Sequence, residues 1–169
     1  TDERRRFAQV SHEYLIEQVQ EQSGNGKATQ TLNFNHPVKE LIWTGARNGG
    51  VSSFGFDALS SSGTAKLTLN GHDRFSVQET TYFTRYLPQI FHTGSAMITD
   101  SIAIYSFALK PEEHQPSGTC NFSRIDNAQL ISTGVFAEQT GPPPLGKIFA
   151  VNYNVLRIMS GMGGLAYSN

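Results

Sequence analysis

Five histidines, a single cysteine and a few carboxylate pairs are the side chains here that could ligate a metal, carry a proton or attack an electrophile. The histidines, His12, His36, His72, His92 and His114, stand singly. No H-x-H pair or H-E-x-x-H run sets two imidazoles on one face of an element. His72-Asp73, with Glu79 in the next segment, is the nearest approach to a ligand cluster, and it offers too few convergent donors for a metal centre. Cys120 has no evident base beside it, so burial as a small apolar side chain is its expected fate. Glu112-Glu113 lies in a proline-flanked loop and reads as solvated. Gly161, Gly163 and Gly164 follow a strand but open no helix, which a phosphate-cradling loop requires. Asn121-Phe122-Ser123 has the form of an N-glycan acceptor and makes Asn121 a candidate glycosylation site. No catalytic, cofactor-binding or metal-binding set is expected.

Composition narrows the classes further. A chain of 169 residues suits one domain able to bury roughly 70% of its unfolded surface. Its net charge of −1 lacks the basic excess that neutralises phosphates, so direct nucleic-acid contact is not expected. Arg4-Arg5-Arg6 is the one basic run, and Asp2 and Glu3 offset it. No apolar run approaches the ~20 residues of a membrane span, so membrane insertion is not expected either. One cysteine allows no internal disulfide, which suits assembly in a reducing cytoplasm. Only 16% of residues are charged, low for a protein surrounded by water and consistent with surface given over to neighbouring subunits.

The elements that would position these residues are short strands between glycine-rich turns. Tyr14–Gln20 reads as a strand, followed by Ser23-Gly24-Asn25-Gly26 and by Ala28–Phe34. In the latter, Ala28, Gln30, Leu32 and Phe34 share one face and Thr29, Thr31 and Asn33 the other. The spacing predicts a hairpin from these two runs. Pro37 marks an edge, bulge or bend ahead of a strand over Val38–Trp43. Asn48-Gly49-Gly50 and Ser60–Gly63 read as turns, and Asn70-Gly71 as a tight hairpin turn. Thr80–His92 carries Tyr82, Phe83, Tyr86, Leu87, Ile90 and Phe91 at helix-like spacing, broken by Pro88, and predicts a short helix or aromatic loop on a sheet edge. Ile98–Leu109, Ala128–Ser132 and Lys147–Ile158 complete the strands, with a stiff proline loop at Thr140–Gly146. An all-β sandwich of six to eight strands follows, and periodicity alone does not separate a jelly roll from an immunoglobulin-like fold.

Four segments are more specific. LIEQVQ at Leu15–Gln20, LNFNHPVKELIW at Leu32–Trp43, YSFALKPEEHQPSGTCNFSRIDN at Tyr105–Asn127 and NYNVLRIMSGMGGLAYSN at Asn152–Asn169 occur in order. Together they closely resemble the C-terminal half of major capsid proteins of nucleocytoplasmic large DNA viruses, the phycodnavirus and iridovirus type. The stretches 45–64 and 134–146 match less clearly. The resemblance implies an eight-stranded jelly-roll β-sandwich, one half of a double jelly roll, with short helix and loop insertions. It also implies homotrimers of pseudo-hexagonal outline tiling an icosahedral capsid assembled in the host cytoplasm, with minor capsid and penton proteins as further partners. Residues 1–169 would then form a single C-terminal domain, with 1–13 leading in from the preceding domain and 159–169 an irregular tail.

Candidate subunit contacts follow from the same segments. Phe122, Arg124 and Asp126 lie in a turn-bounded run, where Arg124 and Asp126 are spaced to pair or to cap local backbone. Met159, Met162, Leu165 and Tyr167 place apolar surface in the glycine-rich tail, which would need a covering partner. A carbohydrate-binding β-sandwich is the alternative reading, with Trp43 or Tyr82 as stacking faces. A cupin-like enzyme is a third, disfavoured by the scattered histidines.

Overall fold

Side-chain alternation along the chain becomes two facing sheets, because each run has one apolar face to hide and one polar face to leave in water. The computed structural model describes residues 1–45, 59, 62–94, 100–133 and 146–168. The turn expected at Asn48–Gly50 and the proline run of the 140–146 loop lie outside them. A helix, α1 (Asp2–Gln9), leads into β1 (His12–Ser23), β2 (Thr29–Thr31), β3 (Pro37–Thr44), β4 (Thr64–Leu69), β5 (His72–Asp73) and β6 (Gln78–Glu79). A π-helical turn (Tyr82–Tyr86) runs directly into α2 (Leu87–Phe91) and then β7 (Ile102–Ser106). After β8 (Cys120–Asn121) and a 3-10 turn (Phe122–Arg124) come β9 (Ala128–Thr133), β10 (Lys147–Met159) and β11 (Met162–Leu165).

One sheet has the order β1-β10-β3-β7, with β8 beside β3 and β11 beside β10; the other has the order β2-β9-β4-β5, with β6 beside β4. The antiparallel pairs are therefore β1 with β10, β2 with β9, β3 with β7 and β4 with β5. First pairs with last and second with second-last, as when one long antiparallel ribbon rolls up around a core. This is the eight-stranded jelly roll expected from sequence, with β6, β8 and β11 as short additions. Inside lie Leu41, Trp43, Ile148 and Ala150 from the first sheet and Ala65, Leu67, Ala128 and Leu130 from the second, all nearly inaccessible. The helical segment closes the core at the β7 edge, where Phe83 sits 5.3 Å from Trp43 and 5.4 Å from Phe75 between ring centroids.

Two expectations are corrected. The first two strands do not form a hairpin: β1 pairs with β10 from His12↔Ile158 to Ser23↔Lys147, and β2 pairs with β9. Between them the chain turns a corner from one sheet to the other, held by the fully buried Gln30. Its amide donates to Asn25 Oδ1 (2.6 Å) and the Lys27 carbonyl (2.6 Å), and its Oε1 accepts from the Asn25 N–H (2.9 Å). The tail is not irregular over 159–169 either. Ser160 and Gly161 both take positive φ (50° and 79°) and make a two-residue turn that returns β11 along β10, Met159↔Met162 to Leu156↔Leu165. The Asn70-Gly71 turn stands as expected, with φ of 50° and 80° between paired Leu69 and His72.

Candidate assembly surfaces

The run Cys120–Asn127 is knitted into its own domain. Asn121 Oδ1 accepts from the Ser123 N–H (3.1 Å) and caps the 3-10 turn. Ser123 Oγ in turn accepts from the His36 N–H (2.8 Å), and the Phe122 N–H donates to the His36 carbonyl (3.1 Å). His36 has a φ of 66°, a strained conformation for a non-glycine residue, so the run clamps the bend before Pro37. Phe122 is 3% exposed and packs edge-on against Phe34 and Phe107. It belongs to the core and is withdrawn from the subunit-contact set. Arg124 and Asp126 are exposed but form no ion pair with each other; the Asp126 N–H donates to Asn70 Oδ1 instead (3.0 Å). Asn121 is exposed, the first requirement of a glycan acceptor.

The tail residues lie in the open. Met159, Met162, Leu165 and Tyr167 are half to three-quarters exposed, on a hairpin that runs past the end of the sandwich. Here β1, β10 and β11 form a three-stranded overhang, with Tyr14, Leu156 and Leu165 in one row and His12 and Ile158 in the next. Phe7 of α1 stacks on His12 at 4.0 Å. A recess of about 330 Å³, lined by Arg157, Met159, Met162, Gly163, Gly164, Leu165 and Ala166, opens in the hairpin. Asn154 ties the chain end down by donating to the Tyr167 carbonyl (2.9 Å).

A second exposed apolar strip was not among the candidate contacts. Tyr86 and Ile90 follow Tyr82 at four-residue steps along the helical segment and are exposed; Tyr82 and Tyr86 line an open groove of about 670 Å³ together with Val77. The i, i+4, i+8 spacing was legible, but apolar spacing does not say which face is covered. Tyr82 is half-buried and stacks on Tyr86 at 5.4 Å, whereas Trp43 is 1% exposed and offers no stacking face. Arg85 holds Asp100 bidentately (2.8 and 2.7 Å) with help from Thr84, and this partner pulls the Asp100 carboxyl below its ordinary range.

The outer face of the first sheet carries neutralised charge. Along β1, Glu13 pairs with Arg157 (2.7 Å), Glu17 with Lys39 (2.6 Å) and Glu21 with Lys147. Leu15 and Val19 alternate with these carboxylates and are exposed. A register shift opposite Val151 and Asn152 puts Lys39 and Glu40 side by side, both about 3% exposed. Lys39 sits over the Tyr153 ring, and Glu40 meets His92 Nε2 at 2.6 Å. Glu112, expected to be solvated, accepts from the Thr93 N–H and hydroxyl, which hold its carboxyl below the usual range. Cys120 is half-buried, and burial pushes its thiol up.

Among the described residues, no three His, Cys, Asp or Glu side chains gather as a metal would require. His72 and Glu79 pair with Leu69 and Thr64, opposite ends of β4 and about 16 Å apart at ~3.3 Å per residue. No helix among the described residues is long and apolar enough to cross a membrane.

Comparisons with known proteins converge. Residues 3–164 match the family model described as large eukaryotic DNA virus major capsid protein. All of the chain aligns with 46% of the major capsid protein of Pyramimonas orientalis virus at 53% identity. It likewise aligns with 52% of that of Paramecium bursaria Chlorella virus 1 at 40% identity. A quasi-atomic model of the PBCV-1 virus capsid superimposes with a TM-score of 0.73 at 35% identity, over 99% of this chain and 54% of that one. The chain thus spans about half the length of the curated relatives it matches.

Proposed function

The chain belongs to the family of large eukaryotic DNA virus major capsid proteins, and from that membership we infer that it is a shell-building module with no catalytic role. It acts as the C-terminal jelly roll of a double jelly roll protein, with residues 1–13 leading in from the preceding domain. Three such polypeptides make a capsomer of pseudo-hexagonal outline, and capsomers tile an icosahedral shell in the virion after assembly in the host cytoplasm. Its partners are copies of itself, with minor capsid and penton proteins between them. The observation that carries this reading is the superposition on half of a capsid chain over 99% of the present one. The overhang and the Tyr86–Ile90 strip supply uncovered apolar surface of the kind that subunit contacts bury.

Electron microscopy of the full-length protein tests it. Particles of hexagonal outline, with a light-scattering mass of three chains, are expected; a stable monomer would overturn the proposal. The carbohydrate-binding alternative rests on the Tyr82–Tyr86 groove alone, and binding on a glycan array by the assembled trimer is its test.

A further inference from the structure

His92 stands between two carboxylates. Its Nε2 meets Glu40 Oε1 at 2.6 Å and its Nδ1 meets Glu112 Oε1 at 3.4 Å. A neutral imidazole carries one N–H, so it can donate to one carboxylate and must turn a lone pair toward the other. Both contacts are satisfied together only when the Glu40–His92–Glu112 unit holds one proton more than two carboxylates and a neutral ring. Glu40 comes from the bulge of β3, His92 from the end of α2, and Glu112 from the segment 107–119 that joins β7 to β8. The contact therefore links three parts of the chain, and its outer half is tied to Thr93 through the Glu112 carboxylate.

We propose that the Glu40–His92–Glu112 unit is a proton-dependent clasp that fastens the turn 109–117 to the first sheet beyond the backbone bonds of Phe107 and Ala108 to the Lys39 carbonyl, closed while the unit holds its extra proton and open once that proton leaves to solvent. The surroundings favour the closed form. Glu17 from β1, Glu40 from β3 and Glu112 face this region, against the ammonium of Lys39; His114 of the same segment lies 3.4 Å from Glu17, and Lys110 is paired with Glu113. Burial pushes the Glu40 carboxyl up, more than His92 and Lys39 pull it down. A carboxyl raised in the folded state keeps its proton to higher pH than in the unfolded chain. The stability tied to it is present at low pH and lost as pH rises through the folded value. Opening on a rise in pH has the same sign.

Hydrogen exchange read by mass spectrometry on the full-length protein, corrected for intrinsic rates, tests the clasp. Protection of the Thr93 amide and of peptides across 110–117 should fall roughly tenfold as pH rises from the ordinary carboxylate range through the raised Glu40 value, the scale of one charge-assisted hydrogen bond. Glu112→Gln keeps an acceptor for Thr93 but removes the need for the second proton, so its profile should be flat; His92→Gln should flatten it too. His114→Gln should keep the step, because His114 makes a single carboxylate contact. A flat profile in the parent protein overturns the proposal. So does a step that survives His92→Gln, one abolished by His114→Gln, or one shared equally by peptides from the core strand β3.

Discussion

Gly118 turns within van der Waals reach of a neighbouring strand end. It has a φ of 148°, and a Cβ there would lie 2.5 Å from the Phe107 carbonyl oxygen, a backbone atom that cannot step aside. Gly118→Ala should cost about 2 kcal/mol or more from strain and overlap together, measured by denaturant unfolding. Asn121→Ala should cost about 0.5–1 kcal/mol, since it removes only the cap of a single 3-10 turn. Mapping the peptide that holds Asn121 by mass spectrometry checks at the same time whether the exposed amide carries a glycan. Asp100 supplies the pH test at this scale. Its folded-state value is lowered, chiefly by Arg85, so the contact adds stability above the ordinary carboxylate range and loses it as pH falls through the folded value. Thermal melts should therefore show a steeper acid loss for the parent than for Asp100→Asn, and identical slopes would sink the assignment.

The helical segment shows how an element closes the sandwich. Phe83 is fully buried, with Trp43, Phe75 and Tyr82 around it, so Phe83→Ala should cost about 3–5 kcal/mol and leave the β7 edge of the core exposed. Unfolding followed by tryptophan fluorescence would register both effects, because Trp43 is the ring uncovered. Spacing left a short helix or an aromatic loop open here, and the helix forms because Pro88 falls in the first turn of α2, where its missing N–H does no harm. The strands and the Asn70-Gly71 turn were plain from alternation and turn chemistry. Pairing was not: alternation along Tyr14–Gln20 fits any neighbour, and its true partner lies more than a hundred residues away in β10. The tail misled for a related reason. Met-Gly-Gly-Leu has poor strand propensity, and only the Ser160-Gly161 pair hinted at a two-residue turn. The contact of His92 with Glu40 and Glu112 was out of reach altogether, because it depends on a bulge that turns Lys39 and Glu40 to the same side.

For the whole molecule the question is what covers the surface that one domain leaves bare. In the β1-β10-β11 overhang, Tyr14 and Leu165 are about half exposed, and among the described residues no strand of the second sheet pairs with these rows. Three strands with apolar side chains in the open stay ordered most readily when a second layer packs on them. Met159 and Met162 add flexible apolar side chains around a recess floored by Gly163 and Gly164, a shape that admits a side chain from another surface. On the opposite face of the same strands, the one that Met159 and Met162 share, Glu13 is already paired with Arg157, so covering the methionines there would strand no unpaired ion. Deleting Gly161–Asn169 from the full-length protein should thus leave the jelly roll folded, because β11 pairs only with the far end of β10, yet shift the population from trimer toward monomer in size-exclusion chromatography with light scattering. Met162→Ser with Leu165→Ser, which keeps the backbone hairpin and removes only its apolar side chains, should move the equilibrium the same way. Trimer yield unchanged in both variants would place the subunit contacts elsewhere, with the exposed Val77, Tyr86 and Ile90 the next side chains to alter.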